Sequence, residues 1–102
     1  MNTYKVIIGA AAEADFEDLA LFLRQVKSID GARRYHQSML AEILSLSVFA
    51  DLYRPSRYAD IRRYHPQARH MVSHNKRWVY IFHIEGDSVV VDRIRPAKLI
   101  KG

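Results

Sequence analysis

The sequence predicts an α+β fold: a single two-layer domain in which an N-terminal strand and a helical hairpin precede an antiparallel β-sheet. Three observations predict it. Apolar residues recur at three- and four-residue steps between Ala11 and Asp51, the period of amphipathic helices. From Arg69 to Arg95, short runs rich in β-branched and aromatic residues are punctuated by turn residues, as in strands. The 102 residues suffice for one core, and no repeat, low-complexity segment or second domain interrupts them, so residues 1–102 are expected to form one unit.

The elements follow in order. TYKVIIG, residues 3 to 9, is β-branched and aromatic and stops at Gly9, which reads as the first strand. From Ala11 to about Lys27, Phe16, Leu19, Ala20, Leu23 and Val26 share a helical face, with acids crowding the first turns and Arg24 and Lys27 at the end the helix dipole favours. Asp30 is the expected N-cap of a second helix that carries Ala32, Tyr35, Met39, Ile43 and Leu46 and ends near Asp51. Leu21, Phe22, Leu40 and Leu44 widen both apolar faces beyond one sheet contact, which either leaves surface for a partner or packs the two helices on each other as well as on the sheet. Residues 52–68 hold two prolines and no sustained period, predicting a long basic loop with a short strand around Ile61 to Tyr64. Strands are expected at Arg69–His74, Arg77–Glu85 and Ser88–Arg95, joined by Asn75-Lys76 and Gly86-Asp87.

Charge is unevenly placed. Net charge is +5, with Glu13, Asp15, Glu17, Asp18 and Asp30 in the first helical region and Arg54, Arg57, Arg62, Arg63, Arg69, Lys76 and Arg77 later. Cysteine is absent, which excludes disulfide and thiolate chemistry. The N-terminus lacks the basic lead and long apolar core of a signal peptide, and no apolar run approaches a bilayer span, so a cytoplasmic protein without membrane association is expected.

The last hairpin, RWVYIFHIEGDSVVVDRIRP, ends in arginines. With Gly86-Asp87 as a two-residue loop and a straight ladder, Glu85 faces Ser88, Phe82 faces Val91, Tyr80 faces Arg93 and Trp78 faces Arg95. Alternation then puts Val79, Ile81, Val90 and Ile94 under the helices and aims Trp78, Tyr80, Arg93 and Arg95 away from them. Such a surface, with cation–π contacts of about 0.5 to 2 kcal/mol, suits target binding.

The RWVYIFHIEGDSVVVDRIR block, the AEADFEDLALFL helix opening and the ARRYHQSMLAEILSL helix together resemble the RelE/ParE superfamily of toxins from bacterial type II toxin–antitoxin systems. The resemblance covers nearly the whole chain and implies a RelE/ParE-like fold, growth arrest and plasmid stabilisation as family roles, and a cognate antitoxin partner. It also implies that the antitoxin uses apolar helix surface around Leu19, Phe22 and Leu23. ParE-like members bind DNA gyrase and are not enzymes. RelE-like members are ribosome-dependent mRNA endoribonucleases, for which Arg63, Arg77 and Arg93 are the catalytic candidates here. Members of that branch commonly carry a C-terminal Tyr or His, and this chain has neither after Val91. Arginine stabilises an oxyanion but does not exchange protons, so the ParE-like branch is the expectation. The ribonuclease and a non-toxic nucleic-acid-binding module are the alternatives.

No cofactor and no metal are expected. His70 and His74 are read on a strand, where four residues separate them by about 13 Å, too far for one ion.

Overall fold

The computed structural model describes residues 3–100; the final Lys-Gly of the expected polar tail lies outside them. Strand β1 (Lys5–Ile8) turns at Gly9 into helix α1 (Ala10–Val26). Helix α2 (Ile29–Leu44) is capped by Ser28, whose Oγ accepts the Gly31 N–H at 3.0 Å. Asp30, the expected cap, sits inside the first turn instead, because Ser28 holds the extended backbone a cap requires, φ −62° and ψ 162°.

The second helix does not run unbroken to Asp51. It stops at Ser45, followed by helix α3 (Leu46–Phe49) and a 3₁₀ turn (Ala50–Leu52). Ser45 Oγ donates to the Glu42 carbonyl, and its N–H is shared between the carbonyls of Ala41 and Glu42; such back-bonding bends helices. The redirected chain lets Ser47 accept the Tyr4 N–H at 2.7 Å, fastening α3 to the start of the molecule.

In the basic loop the expected strand around Ile61 is one helical turn, α4 (Ala59–Arg62). Its cause is tertiary: Ile61 is buried against Val79, Ile81 and Ala68, and a turn delivers that single side chain while the flanking arginines stay exposed.

Strands β2 (Arg69–Val72), β3 (Trp78–Glu85) and β4 (Ser88–Pro96) pair antiparallel in a four-stranded sheet of order β1-β4-β3-β2. The expected order of N-terminal strand, helices and antiparallel strands is the observed one, and β1 completes the sheet by joining β4 in parallel. A long helical crossover separates β1 from the other strands, so no tight hairpin dictates its direction. A Cβ at Gly9 would lie 3.0 Å from the Val91 carbonyl oxygen, which already accepts the Gly9 N–H at 2.9 Å, so the close approach of β1 and β4 depends on glycine there.

Gly86-Asp87 closes the last hairpin as expected, with Glu85 opposite Ser88 and Gly86 at φ +58°. The predicted register holds through Phe82 opposite Val91. Asp92 is then a β-bulge: Ile81 faces Arg93, Tyr80 faces Ile94, Val79 faces Arg95 and Trp78 faces Pro96. One inserted residue exchanges the two faces beyond it. The surface expected of Trp78, Tyr80, Arg93 and Arg95 is therefore not shared by all four: Tyr80 is buried and Arg93 lies elsewhere, while Trp78 and Arg95 still border one cleft beside Phe22.

The layer assignment holds for Ile94, which packs under the helices as expected, and is reversed for Val79 and Ile81. Tyr80, Phe82, Val89, Val91 and Ile94 pack with Phe16, Leu19, Leu23, Met39 and Ile43 of the helices. Val79 and Ile81 lie on the opposite face, under α4 and the loop.

Candidate functional site

The site begins where β1 ends. Ile8 pairs with Val91, and beyond that point the outer edge of β4 has no strand beside it. Asp15 of α1 takes the vacant place: its carboxylate accepts the Ile94 N–H at 2.9 Å, Arg93 Nε at 2.7 Å and Arg93 Nη2 at 3.0 Å. The forked hydrogen bond to Asp15 raises the Arg93 pKa further above its ordinary value, against a smaller opposing effect of burial.

From this anchor Arg93 reaches the loop side, with its guanidinium carbon 5.8 Å from the Tyr64 ring centroid; that of Arg63 lies 5.1 Å over the same ring. A small cleft adjoins them, lined by Asp60, Arg63, Tyr64, Arg95, Leu99 and Ile100. The arginine–aromatic surface anticipated from the hairpin thus exists with a different aromatic. Tyr80 is fully buried and donates from its hydroxyl to Glu42 Oε1 at 2.9 Å, while Trp78 Nε1 donates to the Tyr35 hydroxyl at 2.9 Å. Burial and that carboxylate push the Tyr80 phenol far above its ordinary pKa.

Of the three arginines singled out by sequence, Arg63 and Arg93 meet across Tyr64. Arg77 is exposed at the start of β3, and its carbonyl accepts the Ala97 N–H at 2.9 Å, at the end of the sheet where Arg95 lies. Tyr64 had one available signal, its adjacency to Arg63 in a basic loop, but no sequence feature connects it to Arg93.

The bulge also builds a second cluster. Asp92 Oδ2 lies 2.7 Å from His83 Nδ1, Glu85 Oε2 lies 3.8 Å from His83 Nε2, and the His65 ring stacks on His83 at 4.0 Å and 3°. His65 Nδ1 accepts the Gln67 N–H at 3.0 Å, so His65 is itself held in orientation. Among the described residues no group of three or more His, Cys, Asp or Glu side chains is arranged to hold a metal ion.

The helix surface needs a correction too. Leu19 and Leu23 are 6% and 3% exposed, because the helical period turns them inward with Phe16; Phe22 alone of the expected trio is exposed, at 54%. The accessible apolar surface comprises Leu21, Phe22, Val26 and Ile29, each more than half exposed. Beside it Ala20, Arg24, Ile29, Ala32, Arg33 and His36 line a groove of about 280 Å³ between α1 and α2.

A family model for the ParE toxin of type II toxin–antitoxin systems, parDE, matches residues 6–98. The chain belongs to the ParE toxin family. Among solved structures, this ParE-family toxin is similar to one titled "Chromosomal ParDE TA system from P. aeruginosa", with 17% identity, 92% of this chain and 96% of that chain covered, and a TM-score of 0.76. At that identity the likeness concerns the fold. No curated protein matches the chain. Among the described residues of this ParE-family toxin, no helix is long and apolar enough to cross a membrane.

Proposed function

We propose that this ParE-family toxin inhibits DNA gyrase by binding, without catalysing a reaction, and that a cognate antitoxin neutralises it. One observation favours this over messenger-RNA cleavage: Arg93, the last-strand arginine, has its Nε and Nη2 donors directed at Asp15. Its charge is used within the fold, where a nuclease needs it on the scissile phosphate. The target surface in this reading is the cleft of Arg63, Tyr64 and Arg95, with Arg93 holding the ring in place. Trp78 and Tyr80, which face the helices, are not part of it.

The antitoxin takes the other side of the sheet. Leu21, Phe22, Val26 and Ile29 offer apolar area, and Arg24, Arg33 and His36 border the adjoining groove, a combination that suits an apolar segment carrying acidic residues.

The test is a supercoiling assay with relaxed plasmid and purified gyrase. Toxin in molar excess is expected to block supercoiling, and stoichiometric antitoxin to restore it, while transcripts stay intact in a translating extract. Full supercoiling at excess toxin together with codon-positioned cleavage of the transcripts would replace this reading with the ribonuclease one.

A further inference from the structure

We infer that the loop spanning residues 54–66 is a docking surface for the phosphate backbone of duplex DNA, used while the toxin sits on gyrase; this rests on the gyrase reading for its setting but not for its chemistry. The segment RPSRYADIRRYHP carries Arg54, Arg57, Arg62 and Arg63 against the single carboxylate Asp60. All four arginines are exposed. Arg57, Arg62 and Arg63 surround an open depression of about 400 Å³, whose remaining lining is the short side chains of Ala59 and Pro66.

The loop that carries them is fixed. Ile61 and Ala68 are fully buried beneath the sheet, the Ser56 N–H donates to the Ala68 carbonyl at 2.7 Å, and the Tyr58 N–H donates to Ser56 Oγ at 3.1 Å. With the loop backbone already fixed, only the arginine side chains remain to be ordered when a ligand binds. Their forked donors match phosphate oxygens, which a lysine cluster would meet only as point charges.

The aromatic beside them narrows the ligand. The guanidinium carbons of Arg63 and Arg93 already lie over Tyr64, so its ring is not a free platform for a base. Bases are read by stacking or by their edges, whereas phosphates require only positive donors. The surface therefore binds backbone, without sequence preference. The rest of the molecule assists: the exposed carboxylates of Glu13, Glu17 and Asp18 are gathered on α1, in the helical layer across the sheet, so a polyanion is met basic face first.

Fluorescence anisotropy with a labelled 30-base-pair duplex of mixed sequence tests this on the full chain freed from antitoxin. With three arginines engaged, log K against log[salt] should fall with a slope of about −3, or roughly 40-fold between about 50 and 200 mM salt. The double variant Arg57→Gln/Arg62→Gln should bind at least about tenfold more weakly with a slope near −1, and Lys5→Gln on the far edge strand should bind like the parent. Salt-independent or undetectable binding, an unchanged slope in the double variant, or displacement of the duplex by single-stranded RNA at lower concentration each overturns the inference. So does a double variant that loses supercoiling inhibition with DNA binding intact, because its arginines then meet an acidic surface of gyrase. Arginine-dependent DNA binding alongside unimpaired supercoiling would remove the gyrase reading and leave the DNA surface standing.

Discussion

The Asp15 carboxylate receives a guanidinium fork and a backbone N–H from residues 78 and 79 positions away, and so substitutes for the strand that β4 lacks beyond Val91. Periodicity marked Asp15 only as one of several acids near a helix start, since a helix position does not say which strand end it will meet. His70 is a second case decided by surroundings. Its Nδ1 is buried without a hydrogen-bond partner, and desolvation lowers its pKa from 6.5. The folded state holds the ring neutral to lower pH than the unfolded chain does, and the unfolded chain takes up a proton once pH drops through the unfolded value. The unfolded state then binds more protons, so this contribution is intact above about pH 6.5 and is lost below it. Denaturant midpoints measured from pH 8 to pH 5 should therefore fall on the acid side, and His70→Phe should show a shallower fall. Parallel pH profiles for parent and variant would show that His70 does not carry the effect.

Among the elements, the β3–β4 hairpin carries the most consequence. Its turn was legible because Gly86-Asp87 is local chemistry, and the register near the turn follows from loop length. Asp92 was not legible as a bulge: the run VVVDRIR alternates well enough to read as a straight ladder, and the partner that stabilises the insertion, His83 at 2.7 Å, lies nine positions earlier. Deleting Asp92 removes the extra residue and leaves Ile81 opposite Arg93 and Tyr80 opposite Ile94 in an unbroken ladder, so both faces should be kept. A straight ladder that retained Asp92 would instead carry Arg93 and Arg95 into the helix-facing core and expel Ile94. Buried unpaired guanidinium groups cost several kcal/mol each, comparable to the whole stability of a small domain. The deletion variant avoids that cost and is expected to keep cooperative thermal unfolding by circular dichroism, whereas a variant with one residue inserted between Ile94 and Arg95, which turns Arg95 inward, is expected to lose it. Loss of cooperative unfolding in the deletion variant would show that the residue count does not set the faces.

At the scale of the molecule, the sheet separates two surfaces with different uses. The helical side has its own core residues and an exposed apolar fringe, and these separate by experiment. Leu23→Ala opens the core and should destabilise the toxin by about 2 to 5 kcal/mol. Phe22→Asp touches only surface, so stability should stay within about 0.5 kcal/mol. Binding to the antitoxin, followed by calorimetric titration, should weaken at least about tenfold. Unchanged affinity in Phe22→Asp would move the antitoxin elsewhere. The division of charge between acidic α1 and the basic loop was visible in the sequence, since residue order alone supplies it; that these segments lie on opposite faces of the sheet was not.

What residue order determined by itself is short in range: helices from their period, strands from alternation, the Gly86-Asp87 turn from glycine's freedom, and membership of the toxin family from patterns spread over the chain. What only the tertiary structure decided is long in range: β1 lying parallel to β4, Asp15 holding Arg93, and Tyr64 replacing Tyr80 as the aromatic beside the arginines. The physical reason is that alternation and helical period are set by neighbouring bonds. Which face a strand residue occupies depends on a count of intervening residues that one bulge resets, and the partners stabilising that bulge come from elsewhere in the fold.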